Sequence, residues 1–154
     1  MDVVLVFPSS TAKRQTLVRA IKKSGRVQVT SEGRYVICKA GDPSRLASRL
    51  TDFPGVDGVA TARKVSGRFP DVITAIVQEG SRAIWRGEKF YIKVIQTVKA
   101  DYVDRDIEFG STAALVGKLA EINALPAKSE KEADRVVLVV IGKRSAYVCV
   151  KGKT

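Results

Sequence analysis

Four carboxylates lie within eight residues of one another and form the one acidic cluster that could carry metal or acid–base chemistry. The sequence ADYVDRDIEFG places Asp101, Asp104, Asp106 and Glu108 in a charged stretch that looks like a loop. Oxygen ligands at this density suit a hard cation, but the spacing does not match an EF-hand loop and Arg105 lies among them. We therefore favour a solvated loop that pairs with nearby lysines. A divergent metal-dependent enzyme that uses residues 101–108 stays open as an alternative.

Other residue types that carry catalysis are absent or badly spaced. The chain has no histidine, which removes the usual general base near neutral pH and the commonest zinc ligand. Cys38 and Cys149 lie far apart in strand-like runs, which is typical of buried, reduced core cysteines. The sequence contains neither a Gly-rich phosphate loop nor a G-x-S-x-G elbow. We therefore expect no catalytic residue, no metal site, no cofactor and no catalytic activity of the chain on its own.

The basic residues are more informative than the acidic ones. The chain has 27 lysines and arginines against 16 acidic residues, a net charge of +11, which favours a polyanionic partner such as nucleic acid. Phosphate binding needs only Lys and Arg held at a surface. The candidate contacts fall into local groups: Arg63, Lys64 and Arg68; Lys89, Lys93 and Lys99; Arg105; Lys118; Lys143 and Arg144. We expect several of them to share one face. The alternative is a protein-interaction module whose charge serves only solubility.

The elements in the first half form one recognisable set. The patterns predict strands at 3–7, 26–30, 34–40 and 56–65, and helices at about 11–24 and 43–52. Ser10 or Thr11 can cap the first helix, Gly25 ends it, and Pro43 begins the second. The order strand, helix, strand, strand, helix, strand predicts a ferredoxin-like unit with an antiparallel sheet and both helices on one face.

The second half follows a break at residues 66–71, which predicts domains 1–68 and 69–154. A helix at about 71–86 is predicted to bend at Gly80 or to divide there into two short helices, and a strand follows at 89–97. A further helix at 111–122, capped by Ser111, precedes a polar loop and a final hairpin of two strands. Tyr91, Tyr102 and Phe109 are candidates for stacking on a base. For Phe109 we favour packing in the core, and Tyr102, which lies in the polar loop, is the best stacking candidate.

The N-terminal stretch is too short in apolar residues for a signal peptide and looks like a first strand. The N-terminal stretch has no basic leader before its apolar run, and that run ends at Pro8. The sequence contains no apolar run of the roughly 20 residues that a membrane helix needs. We therefore expect a cytoplasmic protein without a membrane partner.

The second half resembles the THUMP domain, a module of tRNA-modifying enzymes. The resemblance is carried by the helix before Gly87, by KFYIKVIQ, by STAALVGKLAEI with its Val116-Gly117 pair, and by RVVLVVIGKRSAYVCVKG, with Tyr147 near its end. The first half is similar to the ferredoxin-like domain that precedes THUMP in 4-thiouridine synthetases, where PGVDGVATARKV looks like the closing turn and strand. Together the two similarities cover nearly the whole chain.

The resemblance implies an α+β protein, in which a ferredoxin-like βαββαβ domain is followed by a THUMP-like α/β domain. It implies that the two domains hold the acceptor end of a tRNA, including its single-stranded 3′ terminus, while a catalytic domain acts on a base. Where the family's strand carries arginines, this chain has Lys93 and Gln96. Lysine keeps the positive charge but lacks the planar guanidinium group that can donate two parallel hydrogen bonds, and glutamine lacks both the charge and that group. The pyrophosphatase loop of the synthetases has no match in the sequence.

These observations lead to one functional hypothesis. We expect a tRNA-binding subunit or adaptor that presents the acceptor stem and 3′ end to a separate tRNA-modifying protein, which carries out thiolation or acetylation. The candidate cations would neutralise phosphates rather than read bases. The sequence leaves the oligomeric state open.

Overall fold

A computed structural model of the chain describes residues 2–152. The chain divides into two compact units, Met1–Arg63 and Lys64–Thr154. The boundary predicted at residue 68 follows this division by five residues. The elements of the first part of the chain are β1 (Asp2–Pro8), α1 (Arg14–Lys23), β2 (Gln28–Glu32), β3 (Tyr35–Lys39), α2 (Pro43–Leu50) and β4 (Val56–Ser66).

The sheet of the first unit has the strand order β2-β3-β1-β4, and every neighbouring pair in it is antiparallel. One face of this sheet presents the alternate residues Val4, Val6, Val36 and Cys38, as the two-residue period of strands requires. Both helices cover that face with Leu17, Ile21, Leu46 and Leu50, which are all buried. The ferredoxin-like unit predicted from the element order is therefore confirmed.

The start of α1 differs from the prediction. The helix begins at Arg14, and its N-cap residue is Lys13, whose side chain makes no capping hydrogen bond. The predicted caps, Ser10 and Thr11, are wrong because residues 9–12 form a separate turn, closed by the Ala12 N–H donating to the Ser9 carbonyl at 3.2 Å. The start of α2 is as predicted: Asp42 accepts from the Arg45 N–H at 3.1 Å, and Pro43 opens the helix.

The second unit contains a mixed sheet. Its elements are α3 (Phe69–Ala83), β5 (Lys89–Gln96), α4 (Asp104–Lys118), β6 (Leu125–Pro126), β7 (Arg135–Ile141) and β8 (Ser145–Gly152), with short 3-10 turns at Ala120–Ile122 and Glu130–Glu132. The sheet order is β8-β7-β5-β6. Strand β5 runs parallel to β7 and β6, whereas β7 and β8 form the predicted antiparallel hairpin. Helices α3 and α4 pack on this sheet through one core of buried side chains, including Val72, Ile76, Phe90, Ile107, Leu115 and Val139.

Helix α3 runs unbroken through Gly80, so the alternative of two short helices is wrong. Gly80 is buried, and a Cβ atom built on it would lie 2.9 Å from the Cδ2 atom of Leu115 in α4. The glycine is therefore required by the close approach of two helices, and the helix does not break there.

Helix α4 begins at Asp104, seven residues before the predicted start at residue 111. The charged stretch that looked like a loop supplies the first turns of this helix. Ser111, the predicted cap, is instead buried in mid-helix, where its hydroxyl donates to the Ile107 carbonyl. Phe109 was predicted to pack in the core, and this is also wrong, because its side chain is 70% exposed.

Both cysteines are free and buried, as their strand-like surroundings predicted. Burial raises the pKa of the Cys38 thiol to about 11 and that of the Cys149 thiol to about 12. Both thiols are therefore protonated and unreactive at neutral pH. Among the helices of residues 2–152, none has the length and apolar character that crossing a bilayer requires.

Candidate nucleic-acid interface

Three segments that are distant in the sequence meet at one cleft in the second unit. They are residues 66–70 at the start of α3, residues 98–102 after β5, and the β7–β8 turn at residues 141–144. The cleft has a volume of about 500 Å³, and we call it the Tyr102 cleft. Five of the residues predicted from the sequence to bind RNA line it: Arg68, Lys99, Tyr102, Lys143 and Arg144.

The charge of the Tyr102 cleft is strongly positive. Four exposed cations line it, whereas Asp101 is the one carboxylate among its lining residues. Like charges held in a concave surface raise the local concentration of anions. The cleft is therefore suited to a ligand that carries several negative charges, such as a phosphate backbone.

The start of α3 is held by local hydrogen bonds. The Arg68 N–H donates to the Ser66 Oγ atom at 3.2 Å, and that hydroxyl donates in turn to the carboxylate of Asp71. These bonds close the turn after β4 and fix the backbone from which the Arg68 side chain extends. Asp71 also places a negative charge in the first turn of the helix, which the helix dipole favours.

An aromatic pair forms part of the wall. The Tyr102 ring packs edge-on against Phe69, with ring centroids 5.6 Å apart and an interplanar angle of 66°. The Tyr102 hydroxyl donates to the Gly67 carbonyl, and the Gln96 amide donates to the Tyr102 carbonyl at 3.1 Å. Burial, helped by the charge of Asp101, raises the pKa of Tyr102, so this hydroxyl remains a donor at neutral pH.

The turn that carries Lys143 and Arg144 is tied to the segment after β5. The Thr97 N–H and hydroxyl both donate to the Ile141 carbonyl, at 2.9 and 2.8 Å. The Gly142 N–H donates to the Ser145 carbonyl at 2.9 Å and closes the turn. Two of the three segments are thus joined directly, which holds the cations on rigid backbone.

The other predicted contacts lie elsewhere. The Lys93 ammonium pairs with Glu130 at 3.0 Å, and the Arg105 guanidinium lies 5.9 Å from the centroid of the Phe109 ring. Lys89 and Lys118 are exposed at the ends of β5 and α4. Arg63 and Lys64 lie in β4 and are half-buried. None of these six lines the Tyr102 cleft, and their roles stay predictions.

The acidic cluster stabilises the start of α4. Asp106 accepts from the Val103 N–H at 3.4 Å, and Asp104 accepts from the Arg105 N–H at 2.8 Å. Burial and the charge of Asp104 raise the pKa of Glu108, against the lowering effect of Arg105 and of the Val94 N–H. Within residues 2–152, no three side chains of the His, Cys, Asp or Glu type are grouped so that they could hold a metal ion.

Two residues are not recognisable as functional from the sequence patterns described above: Phe69, which lines the cleft, and Gln96, which donates a hydrogen bond to the backbone of Tyr102. In those patterns Phe69 belongs only to the break between the two halves of the chain, and nothing in them marks its ring as part of a site. Gln96 appears in them only as a position where the family that the chain resembles has arginine. Its amide donates to the Tyr102 carbonyl and so positions the backbone of that residue.

Solved structures of known proteins have the same fold. PH1313 from Pyrococcus horikoshii superposes with a TM-score of 0.78 at 18% identity, over 98% of this chain and 54% of that one. A 4-thiouridine synthetase, solved in complex with RNA and bound ATP, superposes with a TM-score of 0.74 at 13% identity, over 98% of this chain and 41% of that one. The fold inferred from the resemblance is confirmed. No protein-family model matches the chain, and no curated protein matches it in sequence.

One prediction is corrected by these structures. The chain was expected to have no catalytic activity on its own, yet its fold occurs within proteins assigned to the methyltransferases. SMU.472, solved in complex with SAH, superposes with a TM-score of 0.59 at 14% identity, over 97% of this chain and 40% of that one. The absence of catalytic motifs was therefore not sufficient ground for excluding an enzyme. The chain spans about half or less of the length of these three solved structures.

Proposed function

We propose that the chain binds the acceptor stem and 3′ end of tRNA through the Tyr102 cleft and holds them for modification. In this proposal it is the RNA-binding subunit of a tRNA-modifying enzyme, and a catalytic protein joins it to carry out thiolation or acetylation of a base. The observation that carries the proposal is the convergence of Arg68, Lys99, Lys143 and Arg144 on one cleft that also contains a half-exposed aromatic pair.

The chemistry of the cleft matches the two parts of a tRNA acceptor end. Four cations can neutralise phosphates of the stem and of the single strand. Unpaired bases at the 3′ end are recognised by stacking on aromatic rings and by contacts to their edges. Phe69, which is 37% exposed, and Tyr102 supply such rings beside the cations. The similarity of fold to a 4-thiouridine synthetase solved with RNA supports the same assignment.

The proposal is tested by reversing charge in the cleft. In the double variant Lys143→Glu/Arg144→Glu, tRNA affinity is measured by fluorescence anisotropy at several salt concentrations. Each phosphate contact contributes about 0.7 to 0.9 to the slope of log affinity against log salt, so losing two should reduce the slope by about 1.4 to 1.8. The matched control is Lys128→Glu/Lys131→Glu, which makes the same charge change at two exposed lysines of the second unit outside the cleft.

A control that lost as much of the slope as the cleft variant would show that the binding depends on overall charge and not on the cleft. Flat or undetectable binding of tRNA by the parent protein would favour the protein-interaction module instead. A pull-down with and without ribonuclease tests the partner: a catalytic protein that stays bound after ribonuclease treatment contacts the chain directly. Its absence in both arms would contradict the proposed subunit role.

A further inference from the structure

We propose a second phosphate-binding site, in the first unit, at residues that no sequence pattern singles out. It is a cleft of about 700 Å³ formed by the turn between β1 and α1, the first turns of α1 and Arg34. We call it the Arg14 cleft. It is larger than the Tyr102 cleft, and all of its lining residues belong to the first unit.

The Arg14 cleft gathers positive charge without any compensating carboxylate. Four of its lining residues are the exposed cations Lys13, Arg14, Arg19 and Arg34, and none of its lining residues is acidic. Within residues 2–152, none of these four side chains forms an ion pair. Four like charges around one cavity repel one another, and an anion bound among them would offset that repulsion.

Two of the guanidinium groups are held in place by backbone carbonyls. The Arg14 Nη1 atom donates to the Gly33 carbonyl, and the Arg34 Nη2 atom donates to the Pro8 carbonyl at 3.3 Å. Carbonyl partners fix the orientation of an arginine side chain and leave its positive charge uncompensated. The charge of the site is thus partly pre-organised, which lowers the entropy lost when a ligand binds.

The lining residues indicate which part of a ligand is recognised. None of them is aromatic, so no ring in the cleft can stack on a base. The remaining polar groups are the hydroxyls of Ser9, Ser10 and Thr16 and the amide of Gln15, which can donate to phosphate oxygens. The cleft therefore suits phosphate groups recognised without regard to base sequence. If the proposed function holds, these phosphates belong to the backbone of the bound RNA; a free polyphosphate is the other source of the same chemistry.

The test uses the full chain and two matched double variants. Lys13→Glu/Arg19→Glu reverses two cations of the cleft and leaves the hydrogen bonds of Arg14 and Arg34 intact. Lys22→Glu/Lys23→Glu makes the same charge change in the last turn of the same helix, outside the cleft. Circular dichroism establishes that both variants are folded. The salt dependence of tRNA binding is then measured, together with the backbone amide NMR shifts of residues 9–16 during titration with inorganic pyrophosphate.

The expected result is a salt slope lower by about 1.4 to 1.8 in the cleft variant and little changed in the helix-end variant. Pyrophosphate should shift the amides of residues 9–16 saturably in the parent and not in the cleft variant. If the cleft variant keeps both the parent slope and the parent shifts, the inference is overturned, and the function proposed for the Tyr102 cleft is unaffected. If tRNA does not bind the parent but pyrophosphate shifts these amides, the phosphate site stands with a free polyphosphate as its ligand, and the proposed function fails.

Discussion

Tyr102 combines two roles in one side chain. Its hydroxyl closes the turn at the start of α3 by donating to the Gly67 carbonyl, and its ring packs against Phe69 in the wall of the cleft. The two roles are separable, because phenylalanine keeps the ring and lacks the hydroxyl.

We expect Tyr102→Phe to lower the free energy of unfolding by about 0.5 to 1.5 kcal/mol, the usual contribution of a single hydrogen bond, and to leave tRNA affinity within about twofold of the parent. Tyr102→Ala should weaken tRNA binding by about 1 to 3 kcal/mol, the contribution of stacking on one base. Urea unfolding and fluorescence anisotropy measure the two quantities separately. Equal affinities for the Phe and Ala variants would exclude stacking by this ring.

Cys149 makes the stability depend on pH in a predictable direction. Its pKa is raised from 9.0 to about 12 by burial, so between these values the unfolded chain releases the thiol proton and the folded chain retains it. Ionisation of the thiol therefore favours the unfolded state. The stability that the buried, protonated thiol contributes is fully present below pH 9 and is lost as the pH rises toward its folded-state pKa.

We expect the free energy of unfolding of the parent to fall more steeply between pH 9 and 10 than that of Cys149→Ala. The difference should approach about 1.4 kcal/mol per pH unit, the value for one proton. Urea unfolding at pH 8, 9 and 10 measures both curves, and the lysines that titrate in this range affect both equally. Parallel curves for the two proteins would contradict the burial of this thiol.

At the scale of elements, two glycines in helices have opposite roles. Gly80 in α3 allows Leu115 of α4 to approach its backbone closely, whereas a Cβ atom added to Gly117, near the end of α4, would meet no heavy atom within 4 Å. The same substitution should therefore have opposite effects at the two positions.

We expect Gly80→Ala to destabilise the protein by about 1 to 2 kcal/mol, because overpacking against Leu115 outweighs the better helix propensity of alanine. Gly117→Ala should stabilise it by about 0.5 to 1 kcal/mol, because only the propensity term applies at an exposed position. Thermal unfolding of both variants measures the two effects. A stabilised Gly80→Ala would mean that α3 and α4 lie further apart than the structure describes.

Some elements of secondary structure could be predicted from their sequences more accurately than others. Strands β1 and β5 were predicted closely, because continuous or alternating apolar runs leave little choice of structure. The start of α4 was missed because Asp101-Tyr102-Val103-Asp104 looks like a polar loop, although acidic residues are also typical of a first helical turn. Moving the start of the helix to Asp104 makes Ser111 a buried mid-helix residue, and the structure leaves Phe109 exposed.

At the scale of the molecule, the candidate site could be predicted only in part. Four cations and one tyrosine that the sequence suggested as RNA contacts line the Tyr102 cleft, and they were chosen because phosphate binding depends on charge; their role stays a prediction. Their convergence depends on the meeting of three segments up to about 80 residues apart, which no local pattern encodes. The Arg14 cleft was missed because Arg34 joins it from the β2–β3 turn, and each of its cations looks by itself like an ordinary surface residue.

The two clefts lead to a prediction for the whole chain. Reversing Lys13, Arg19, Lys143 and Arg144 together lowers the net charge by eight, from +11 to +3. If each cleft binds its own phosphates, the loss of tRNA binding free energy in this quadruple variant should equal the sum of the two double variants within about 0.5 kcal/mol. Anisotropy titrations at one fixed salt concentration measure all three.

The control for this prediction is the quadruple variant with glutamate at residues 22, 23, 128 and 131, which has the same net charge of +3. It should retain most of the affinity, because these four lysines line neither cleft. Similar losses in both quadruple variants would mean that long-range attraction, and not the two clefts, governs binding.

The short strand β6 affects how this protein behaves when it is concentrated. It ends the sheet of the second unit with two residues, and the second of them, Pro126, has no N–H to donate. Proline at this border cannot donate a hydrogen bond to a strand from another molecule, which hinders edge-to-edge pairing there. Because β6 pairs with Lys89 and Phe90 of β5, the hindrance applies to the start of β5 and does not extend to residues 91–96. Crowded copies of the protein should therefore avoid pairing through the start of this edge.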